Sequence, residues 1–355
     1  MANASGVRTL AHDAEFRLGT FAAAGGSSYA AIVFGDDTVD LNLALKRTGF
    51  KIGAGDPVTV RSLLDDWDAN FDVLTRVANR IVADGLASST WRDVVADAAT
   101  LRPLPPVQPP GALLQSGANY RTHVIQLMVA HRFGLSKEIS AEEAAVEAAR
   151  IMEDRALNGL PFIFAGVTAA MCGARDDVVL PRRGEQHDWE LELAVVFGRP
   201  ARNISRANAL DHVAGYTISN DLTTRDLVFR KEVLQLGADW IGSKNAPTFF
   251  PTGPYLVPRA FVSDPMKLRI TLKLNGEIKQ NESTSDMIFD VARLIEYTSI
   301  ATLIRPGDML LTGSPAGNGS HYNRFLKPGD VMESEITGLG RQVNHCVAEP
   351  EPSAG

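Results

Sequence analysis

Alternation of apolar and polar residues is concentrated in the second half of the chain and predicts β-strands there. The clearest example runs over residues 268–274, where every second residue is leucine or isoleucine, as in a strand with one buried face. It ends at Asn275-Gly276, the strongest short-range signal for a hairpin turn. Two Pro-Gly-Asp sequences, at residues 306–308 and 328–330, each precede an apolar run and fit turns that lead into strands.

Helical spacing is confined to a few segments. Ser140 and Glu143 form a capping-box pattern ahead of a run of helix formers, in which alanine and methionine recur on one face over residues 145–156. This pattern predicts a helix over about 140–157. Near the N-terminus, residues 58–64 and 71–83 have a helical pattern and alternate with short apolar runs. That alternation predicts a small α/β unit.

A proline-rich stretch separates these two regions. Five prolines lie between Arg102 and Gly111, where they remove backbone donors and enforce extended geometry. The chain has 355 residues, enough for about two domains. We therefore predict a small α/β domain over 1–102, a linker over 103–110 and a larger domain over 111–355. The expected fold class is strand-rich α+β.

Composition and charge exclude several classes of function. The 42 acidic residues outnumber the 35 basic ones and leave a formal net charge of −7, so we expect no nucleic-acid partner. No apolar run approaches the roughly 20 residues of a membrane span, and the N-terminal region lacks the pattern of a secretory signal. The two cysteines form no C-x-x-C pair, which fits a reducing compartment. We expect a cytoplasmic protein without a membrane partner.

Acidic residues beside a strand form the first candidate site. Over residues 187–197, alternation places Glu190 and Glu192 on one face of a strand and leucines on the other. Adjacent carboxylates disfavour each other unless a cation neutralises them, and oxygen ligands favour Mg²⁺, Mn²⁺ or Ca²⁺. A solvated strand face is the alternative. Asp221, where a β-prone run meets a polar turn, is a third potential ligand, with helix capping as its alternative role.

Three further segments carry polar chemistry. His123, shortly after the proline-rich stretch, has the side chain of a general base, although a lone histidine is usually structural. Lys244 lies among glycines and prolines, where a fixed ammonium can stabilise enolate or carboxylate charge; a surface lysine is the alternative. Over residues 312–319, glycines let backbone N–H groups approach an anion, but the Gly-Lys-Ser/Thr ending of a P-loop is missing.

The order of these segments resembles that of the fumarylacetoacetate hydrolase (FAH) family. Six motifs follow one another in the family's order: Asn-Tyr-x-x-His, Glu-x-Glu before an Ala-Val-Val strand, Asn-Asp-x-x-x-Arg-Asp, Gly-x-Lys, Thr-Gly-x-Pro-x-Gly and Lys-Pro-Gly-Asp-Val. The resemblance covers about residues 103–347. It implies an FAH-type catalytic domain, a roll or sandwich of mixed β-sheets, after a small N-terminal domain. It also implies a homodimer and a divalent cation.

The resemblance assigns an expected role to each candidate residue. The matching positions are Glu190, Glu192 and Asp221 for the metal ligands, His123 for the base, Lys244 for the lysine beside the metal, and Arg225, Thr312 and Gly313 for the substrate-facing groups. By similarity, Mg²⁺, or else Mn²⁺ or Ca²⁺, chelates a 2-oxo or 2,4-dioxo acid while His123 activates water. The predicted activity is hydrolysis of a carbon–carbon bond in an acylpyruvate-like 2,4-dioxo acid, with the enolate stabilised by the cation and Lys244.

Several positions depart from the family pattern. Gln126 stands three residues after His123, where acylpyruvate-type members have a glutamate that partners the histidine. Glu333, on a late strand, occupies a place from which some members draw that acid, with surface exposure as its alternative. Val228 and Pro247 replace residues that are often polar. These two substitutions predict a less polar pocket.

Two other activities therefore stay open. One is decarboxylation, hydration or isomerisation of a 2-oxo acid on the same metal site, and the other is ligand binding without turnover. The chain between His123 and Glu190 is also longer than in compact members, and the extra length contains the predicted helix. This helical insertion, over about 130–160, is either a lid over the site or a helix at a dimer interface.

Overall fold

The computed structural model describes residues 14–23, 27–132, 134–136 and 138–351. Its strands are, in chain order, β1 (Arg17–Ala22), β2 (Ser28–Phe34), β3 (Asp37–Asp40), β4 (Val95–Asp97), β5 (Pro103–Leu104), β6 (Leu113–Gly117), β7 (Phe162–Gly166), β8 (Met171–Gly173), β9 (Val178–Leu180), β10 (His187–Asp188), β11 (Leu191–Phe197), β12 (Val213–Asn220), β13 (Thr223–Thr224), β14 (Phe250–Thr252), β15 (Tyr255–Pro258), β16 (Arg269–Leu274), β17 (Glu277–Ser283), β18 (Met309–Leu311), β19 (Val331–Ile336) and β20 (Gly340–Ala348). Its α-helices are α1 (Leu41–Thr48), α2 (Val60–Leu63), α3 (Trp67–Asp84), α4 (Arg121–His131), α5 (Ala141–Asn158), α6 (Trp240–Lys244), α7 (Val291–Ala301) and α8 (Gly319–Tyr322). Strands and helices are mixed along the chain, which confirms the predicted strand-rich α+β fold class.

The largest sheet joins strands from both halves of the chain. Its main path runs β4-β3-β2-β1-β15-β12-β11-β18-β6-β7. β1 pairs antiparallel with β15, with Leu18 opposite Leu256, so the N-terminal strands extend the sheet formed by the middle of the chain. Backbone hydrogen bonds therefore connect the two regions that the sequence separates at residues 103–110.

The N-terminal helices form where the sequence has a helical pattern. The predicted segments 58–64 and 71–83 correspond to α2 and α3. In α3 the buried Leu74, Val77 and Ile81 share one face, and burial stabilises such a side chain by about 1.5–3 kcal/mol. Gly85, with a φ of 79°, ends the helix. Across the residues that the structure describes, no helix has the length and apolar character needed to cross a membrane.

The proline-rich segment is packed against the large sheet. Pro103 and Leu104 form β5, which pairs with β1, and Val107 is fully buried. The Thr20 hydroxyl donates a hydrogen bond to the Pro106 carbonyl at 2.7 Å. Prolines fit such a place because the margin of a sheet needs no donor from them. The residues predicted as a linker therefore form a fixed connection in contact with both regions.

A second sheet has the order β17-β16-β19-β20-β9. Its first hairpin turns at Asn275 and Gly276, which both have positive φ values, 53° and 83°, as a two-residue hairpin turn requires. The predicted hairpin is confirmed. Along β19, Met332 and Ser334 are buried while Glu333 between them is only partly buried, so Glu333 lies on the opposite face of this sheet.

The predicted helical insertion, over about 130–160, contains α5, which packs on the preceding helix α4; both helices lie between β6 and β7 in chain order. The predicted capping box is present: the Ser140 hydroxyl accepts the Glu143 N–H at 3.1 Å, and the Glu143 carboxylate accepts the Ser140 N–H at 2.8 Å. The bounds of α5 confirm the helix predicted over about 140–157. β7, directly after it, is an edge strand that pairs only with β6 among the described strands.

The central strand β11 is buried on both faces. Leu191, Leu193 and Val195 belong to one hydrophobic core, whereas Ala194 and Val196 belong to another on the opposite side of the sheet. This arrangement is the alternation expected for a strand. It places polar side chains of the same strand in the interior of the protein.

Candidate metal centre and active site

Two antiparallel strands bring the three predicted metal ligands together. β11 and β12 pair with Leu191 opposite Asn220, so Glu190, just before β11, and Asp221, just after β12, lie opposite each other. The Asp221 N–H donates to the Glu190 carbonyl at 2.9 Å. Glu192 lies two residues beyond Glu190, on the same face of the strand. Strand pairing thus makes residues from two distant segments neighbours.

The three carboxylates form a buried cluster. Glu190, Glu192 and Asp221 each offer an oxygen within 4.8 Å of the others, and their exposed fractions are 8%, 2% and 2%. The alternative of a solvated strand face is therefore wrong for the two glutamates. Asp221 is not a helix cap, because its carboxylate accepts a hydrogen bond from Lys244 and Thr224 occupies the cap of the following short helix.

Lys244 is buried against this cluster, so the alternative of a surface lysine is wrong. Its Nζ donates to Glu190 Oε2 at 2.7 Å, to Asp221 Oδ2 at 2.6 Å and to Thr223 Oγ1 at 2.7 Å. These bonds use all three ammonium protons. Burial by itself lowers the pKa of Lys244, but the Asp221 and Glu190 carboxylates outweigh it and raise the pKa above its ordinary value. The lysine therefore remains an ammonium.

Arg225 connects the cluster to α8. Its Nη2 donates to Glu190 Oε1 at 2.6 Å and its Nε to Asp188 Oδ2 at 2.8 Å. Asp188 is fully buried and also accepts the N–H groups of Gly319 at 2.5 Å and Ser320 at 3.1 Å. Nη1 takes no part in these bonds, and 23% of the Arg225 side chain is exposed. Arg225 can therefore offer N–H groups to a bound anion.

The loop over 312–319 closes another side of the cluster. It follows β18, which pairs with β11 so that Ala194 lies opposite Leu311. The Gly313 N–H donates to Glu192 Oε2 at 2.6 Å. The Thr312 hydroxyl donates to the Leu193 carbonyl at 3.0 Å and is therefore tied to the strand. Gly313 thus orients a predicted metal ligand, while substrate contact by either residue remains a prediction.

We expect Gly313→Ala to disturb this contact and to weaken Mn²⁺ binding. Gly313 has a φ of +95°, and an added Cβ would lie 2.9 Å from Asn119 Cβ and 3.2 Å from the Ser116 carbonyl. Relief of the clash moves the N–H away from Glu192, and backbone strain costs about 1–3 kcal/mol of stability. Gly338→Ala is the matched control, because it has a φ of +77° and open space. Mn²⁺ titration and thermal denaturation measure both effects; wild-type Mn²⁺ affinity in Gly313→Ala contradicts this role.

His123 lies in the first turn of α4 and is 8% exposed. The Asp286 carboxylate accepts the Thr122 N–H at 2.9 Å and so caps the start of the helix. The Asn119 side chain donates to the Thr312 carbonyl at 2.8 Å. The Asn-Tyr-x-x-His motif is therefore attached directly to the loop that contacts Glu192, which fixes the position of His123 relative to the carboxylates.

The charged groups of the cluster act electrostatically on the His123 imidazole. Burial lowers the pKa of His123 to about 4, Glu190 opposes this shift, and Arg225, His321 and Lys244 reinforce it. At pH 7 the ring is neutral, the form that accepts a proton. His321 is an exposed residue of α8, and no local sequence pattern marked it as part of the site.

Gln126 lies on the same helix as His123, whereas Glu333 lies on a strand of the second sheet. Gln126 lies one turn further along α4, and its buried Oε1 has no hydrogen-bond partner in the described part of the chain. Glu333 is ion-paired with Arg341 on the neighbouring strand β20. The side chain of Glu333 is 26% exposed in this ion pair, and its assistance of His123 remains a prediction.

The other two departures from the family pattern differ in burial. Val228 is 6% exposed, and its N–H donates to the Arg225 carbonyl at 3.2 Å. Pro247 is exposed at the surface. Of these two residues, only Val228 adds buried apolar surface close to Arg225.

Three uncharged side chains that donate hydrogen bonds to the carboxylate cluster were not predicted from the sequence. Gln115 lies against Asp221: with its amide nitrogen towards the carboxylate, it donates to the two oxygens at 3.0 and 2.8 Å. Asn318 Nδ2 donates to Glu190 at 3.3 Å, as does the Thr223 hydroxyl at the same distance. Amide and hydroxyl side chains are uncharged, so they do not stand out in a sequence as residues of a metal site. Asn318 and Thr223 do lie inside motifs already recognised, whereas Gln115 lies outside them.

The residues present fit a divalent metal ion. Asp188 and the three predicted ligands give four carboxylates that face the cations Lys244 and Arg225, which leaves a formal charge of −2. Burial, with Asp221 and Glu190 close by, raises the pKa of Glu192 well above its ordinary value, as expected for like charges away from water. A divalent cation balances this charge. Carboxylate oxygens are the ligands that Mg²⁺ and Mn²⁺ prefer.

Comparison of sequences finds one family over most of the chain. The family model described as "Fumarylacetoacetate (FAA) hydrolase C-terminal" matches residues 113–347. The human mitochondrial oxaloacetate tautomerase FAHD2B is 33% identical over 293 residues, which cover 82% of this chain and 80% of that protein. Fumarylacetoacetate hydrolase domain-containing protein 2 from Pongo abelii is 40% identical over 189 residues. This second match spans 53% of the chain and only 59% of the relative's length.

Comparison of structures extends the likeness to the N-terminal region. The crystal structure of a putative HpcE protein from Mycobacterium smegmatis aligns with a TM-score of 0.69 and 29% identity, over 94% of this chain and all of that one. The predicted FAH-type architecture is therefore confirmed. With a family match over residues 113–347 and six motifs in the family's order, the chain belongs to the fumarylacetoacetate hydrolase family.

Proposed function

We propose that the chain is a metal-dependent enzyme that interconverts the keto and enol forms of a 2-oxo acid, with oxaloacetate as the first substrate to test. Family membership supports enolate chemistry, and the human relative over 82% of the chain is named an oxaloacetate tautomerase. The choice of tautomerisation over hydrolysis rests on Gln126. Its amide, without a partner for Oε1 among the described residues, stands where hydrolytic members pair the histidine with a carboxylate.

Glu190, Glu192 and Asp221 are the proposed ligands of Mg²⁺ or Mn²⁺, with Ca²⁺ as the third possibility. When bound, the cation supplies a positive centre for the oxo and carboxylate oxygens of the substrate and for the charge of the enolate. Gln115 and the Gly313 N–H hold the carboxylates in position through hydrogen bonds. Such supporting contacts orient the ligands of a metal site.

His123 is the proposed proton carrier. Its neutral imidazole accepts a proton from the carbon beside the 2-oxo group, which leaves an enolate and an imidazolium, and the imidazolium then gives that proton to the enolate oxygen to form the enol. In the reverse direction the imidazole takes the proton from the enol oxygen and returns it to carbon. Tautomerisation breaks no carbon–carbon bond and consumes no water. One base therefore suffices, and Gln126 does not need to share the proton.

The cationic side chains complete the proposed substrate site. The Lys244 ammonium, fixed by three hydrogen bonds, places positive charge where the enolate develops. Arg225 Nη1 is proposed to bind a carboxylate of the substrate, because guanidinium and carboxylate match in geometry. Thr312 and Gly313 form the adjoining wall, as the family resemblance implies.

Hydrolysis of a carbon–carbon bond in an acylpyruvate-like 2,4-dioxo acid is the second candidate. The electrostatic influence of Glu190, Arg225 and Lys244 on His123 favours it. In that reaction His123 takes a proton from water and the water oxygen attacks the distal carbonyl. The carbon–carbon bond of the tetrahedral intermediate then breaks, Lys244 stabilises the departing enolate, and the His123 imidazolium protonates its carbon. Tautomerisation stands first because Gln126 replaces the carboxylate that pairs with the histidine in hydrolytic members.

We also propose a cytoplasmic homodimer that acts on small molecules. The residues Leu160, Phe162 and Val167, in and beside edge strand β7, are exposed at 61%, 49% and 40%. Apolar margins of this kind are commonly covered at interfaces. The human relative is named as mitochondrial, so the compartment of this chain needs its own measurement. Neither a nucleic acid nor a membrane is proposed as a partner.

One assay separates these activities. Oxaloacetate and a panel of acylpyruvates are incubated with Mg²⁺ or Mn²⁺, with and without chelator, while enol absorbance and the acids formed are followed. We expect metal-dependent equilibration of enol and keto oxaloacetate without loss of total oxaloacetate. Two acids from an acylpyruvate would indicate hydrolysis, carbon dioxide would indicate decarboxylation, and tight binding without turnover would indicate a ligand-binding member. Equal rates with and without metal would contradict the proposed site.

A further inference from the structure

An aromatic pair lies over the buried lysine of the carboxylate cluster. Phe164 of β7 and Trp240 of α6 stack with ring centroids 4.7 Å apart and an interplanar angle of 19°. Lys244 Nζ lies 5.8 Å from the Phe164 centroid and 5.7 Å from the Trp240 centroid. Trp240 and Lys244 are four residues apart in α6 and so share one face of that helix. The ammonium therefore contacts two rings in addition to its three oxygen partners.

The two rings separate the ammonium from solvent. Lys244 is 3% exposed, whereas Phe164 and Trp240 are both half-buried. Phe162 extends the aromatic group outward, 5.9 Å from Phe164 and 6.3 Å from Trp240, and is 49% exposed. Aromatic carbon thus lines this side of the site. Phe162 is not among the rings that contact the ammonium.

Aromatic rings suit this place because of the charge of the cluster. A ring face attracts an ammonium through its quadrupole and excludes water without adding a negative charge. A carboxylate at the same place would add a further negative charge to a group that already has a formal charge of −2, and would compete for the cation. Open solvent would weaken the contacts of Lys244 with Glu190 and Asp221 by raising the local dielectric.

We propose that Trp240 and Phe164 are positioning residues for Lys244. They hold its ammonium against Glu190 and Asp221 and keep water away from it during turnover. Both rings act through the lysine, because neither ring is proposed to touch the reacting atoms. The consequence for turnover rests on the proposed function, whereas the placement and shielding of the ammonium do not.

The shielding of the Lys244 ammonium by the two rings is tested by NMR of the ammonium itself. In magnesium-loaded protein with ¹⁵N-labelled lysine, the Lys244 ammonium should give a slowly exchanging NMR signal, which Lys244→Met identifies by its loss. We expect Trp240→Leu to speed proton exchange with water at least about tenfold. Trp240→Phe, which keeps a ring, and Phe50→Leu, which removes a half-buried ring that faces Arg76 in the N-terminal region, should exchange as slowly as wild type. Unchanged exchange in Trp240→Leu would overturn the proposal.

The effect of the two rings on turnover is tested with oxaloacetate as the substrate. Trp240→Leu should lower kcat about tenfold while KM stays within about threefold, because the rings support the charge that stabilises the enolate rather than substrate binding. Trp240→Phe should restore most of kcat, and Phe50→Leu should leave it unchanged. An equal loss in Trp240→Phe, or a loss shared by Phe50→Leu, would overturn the positioning role. If no variant and no wild type turns over oxaloacetate, the proposed function fails, and the ammonium signal still decides whether the rings shield Lys244.

Discussion

Glu192→Gln is expected to weaken Mn²⁺ binding more than about 100-fold and to remove measurable turnover, because loss of a ligand exceeds the 10- to 100-fold effect typical of its supporting contacts. The amide oxygen can still accept the Gly313 N–H that Glu192 Oε2 now accepts, so the loop should keep its place. Without metal, the Glu192→Gln variant should be at least as stable as the wild type, because the substitution removes a buried carboxylate beside Asp221 and Glu190.

Two measurements check this opposite effect on binding and stability. Titration with Mn²⁺, followed by electron paramagnetic resonance, gives the affinity, and thermal denaturation in chelator gives the stability. Glu335→Gln is the matched control, because Glu335 is an exposed glutamate of β19. Wild-type Mn²⁺ affinity in Glu192→Gln, or a marked loss of stability in chelator, would show that Glu192 has a structural role instead of a metal-binding one.

His123→Asn is expected to lower kcat by about 10²–10⁴, the usual contribution of a general base, while Mn²⁺ affinity stays within about threefold of wild type. Asparagine keeps a polar side chain at the start of α4 but cannot accept a proton at neutral pH. The carboxylates are oriented by Lys244, Arg225 and Gly313 rather than by His123. Proton transfer should therefore be lost without loss of the metal.

Steady-state kinetics with oxaloacetate and Mn²⁺ titration measure the two quantities for this variant. His345→Asn, which replaces an exposed histidine of β20, controls for the substitution itself. A kcat within about threefold of wild type in His123→Asn would assign proton transfer to another group, and His321 is then the first residue to test.

The sequence was most informative where its signals are local. The alternation of residues 187–197 placed Glu190 and Glu192 on one strand face, and the capping box at Ser140 and Glu143 located the start of α5. The Asn275-Gly276 pair located the turn of the β16–β17 hairpin, although the register shifts once further along, between Leu272 and Lys273. Each of these features depends on residues a few positions apart, so one sequence contains all the information needed to predict it.

Other features depend on contacts between distant segments and were not predictable in this way. Asn318 and Glu190 are 128 residues apart along the chain and become neighbours only because β18 pairs with β11. The stacking of Phe164 on Trp240 likewise joins an edge strand to a short helix. Glu333 is a related case: its ion pair with Arg341 joins neighbouring strands of the second sheet, a contact that its sequence position did not indicate.

Glu190, Glu192 and Asp221 should together hold one divalent ion. Diffraction from crystals grown with Mn²⁺, recorded at the manganese absorption edge, locates that ion without any assumption about activity. We expect a single strong anomalous peak per chain, bound by one oxygen from each of the three carboxylates. A peak elsewhere in the protein, or three carboxylates that point apart with no manganese between them, would contradict it.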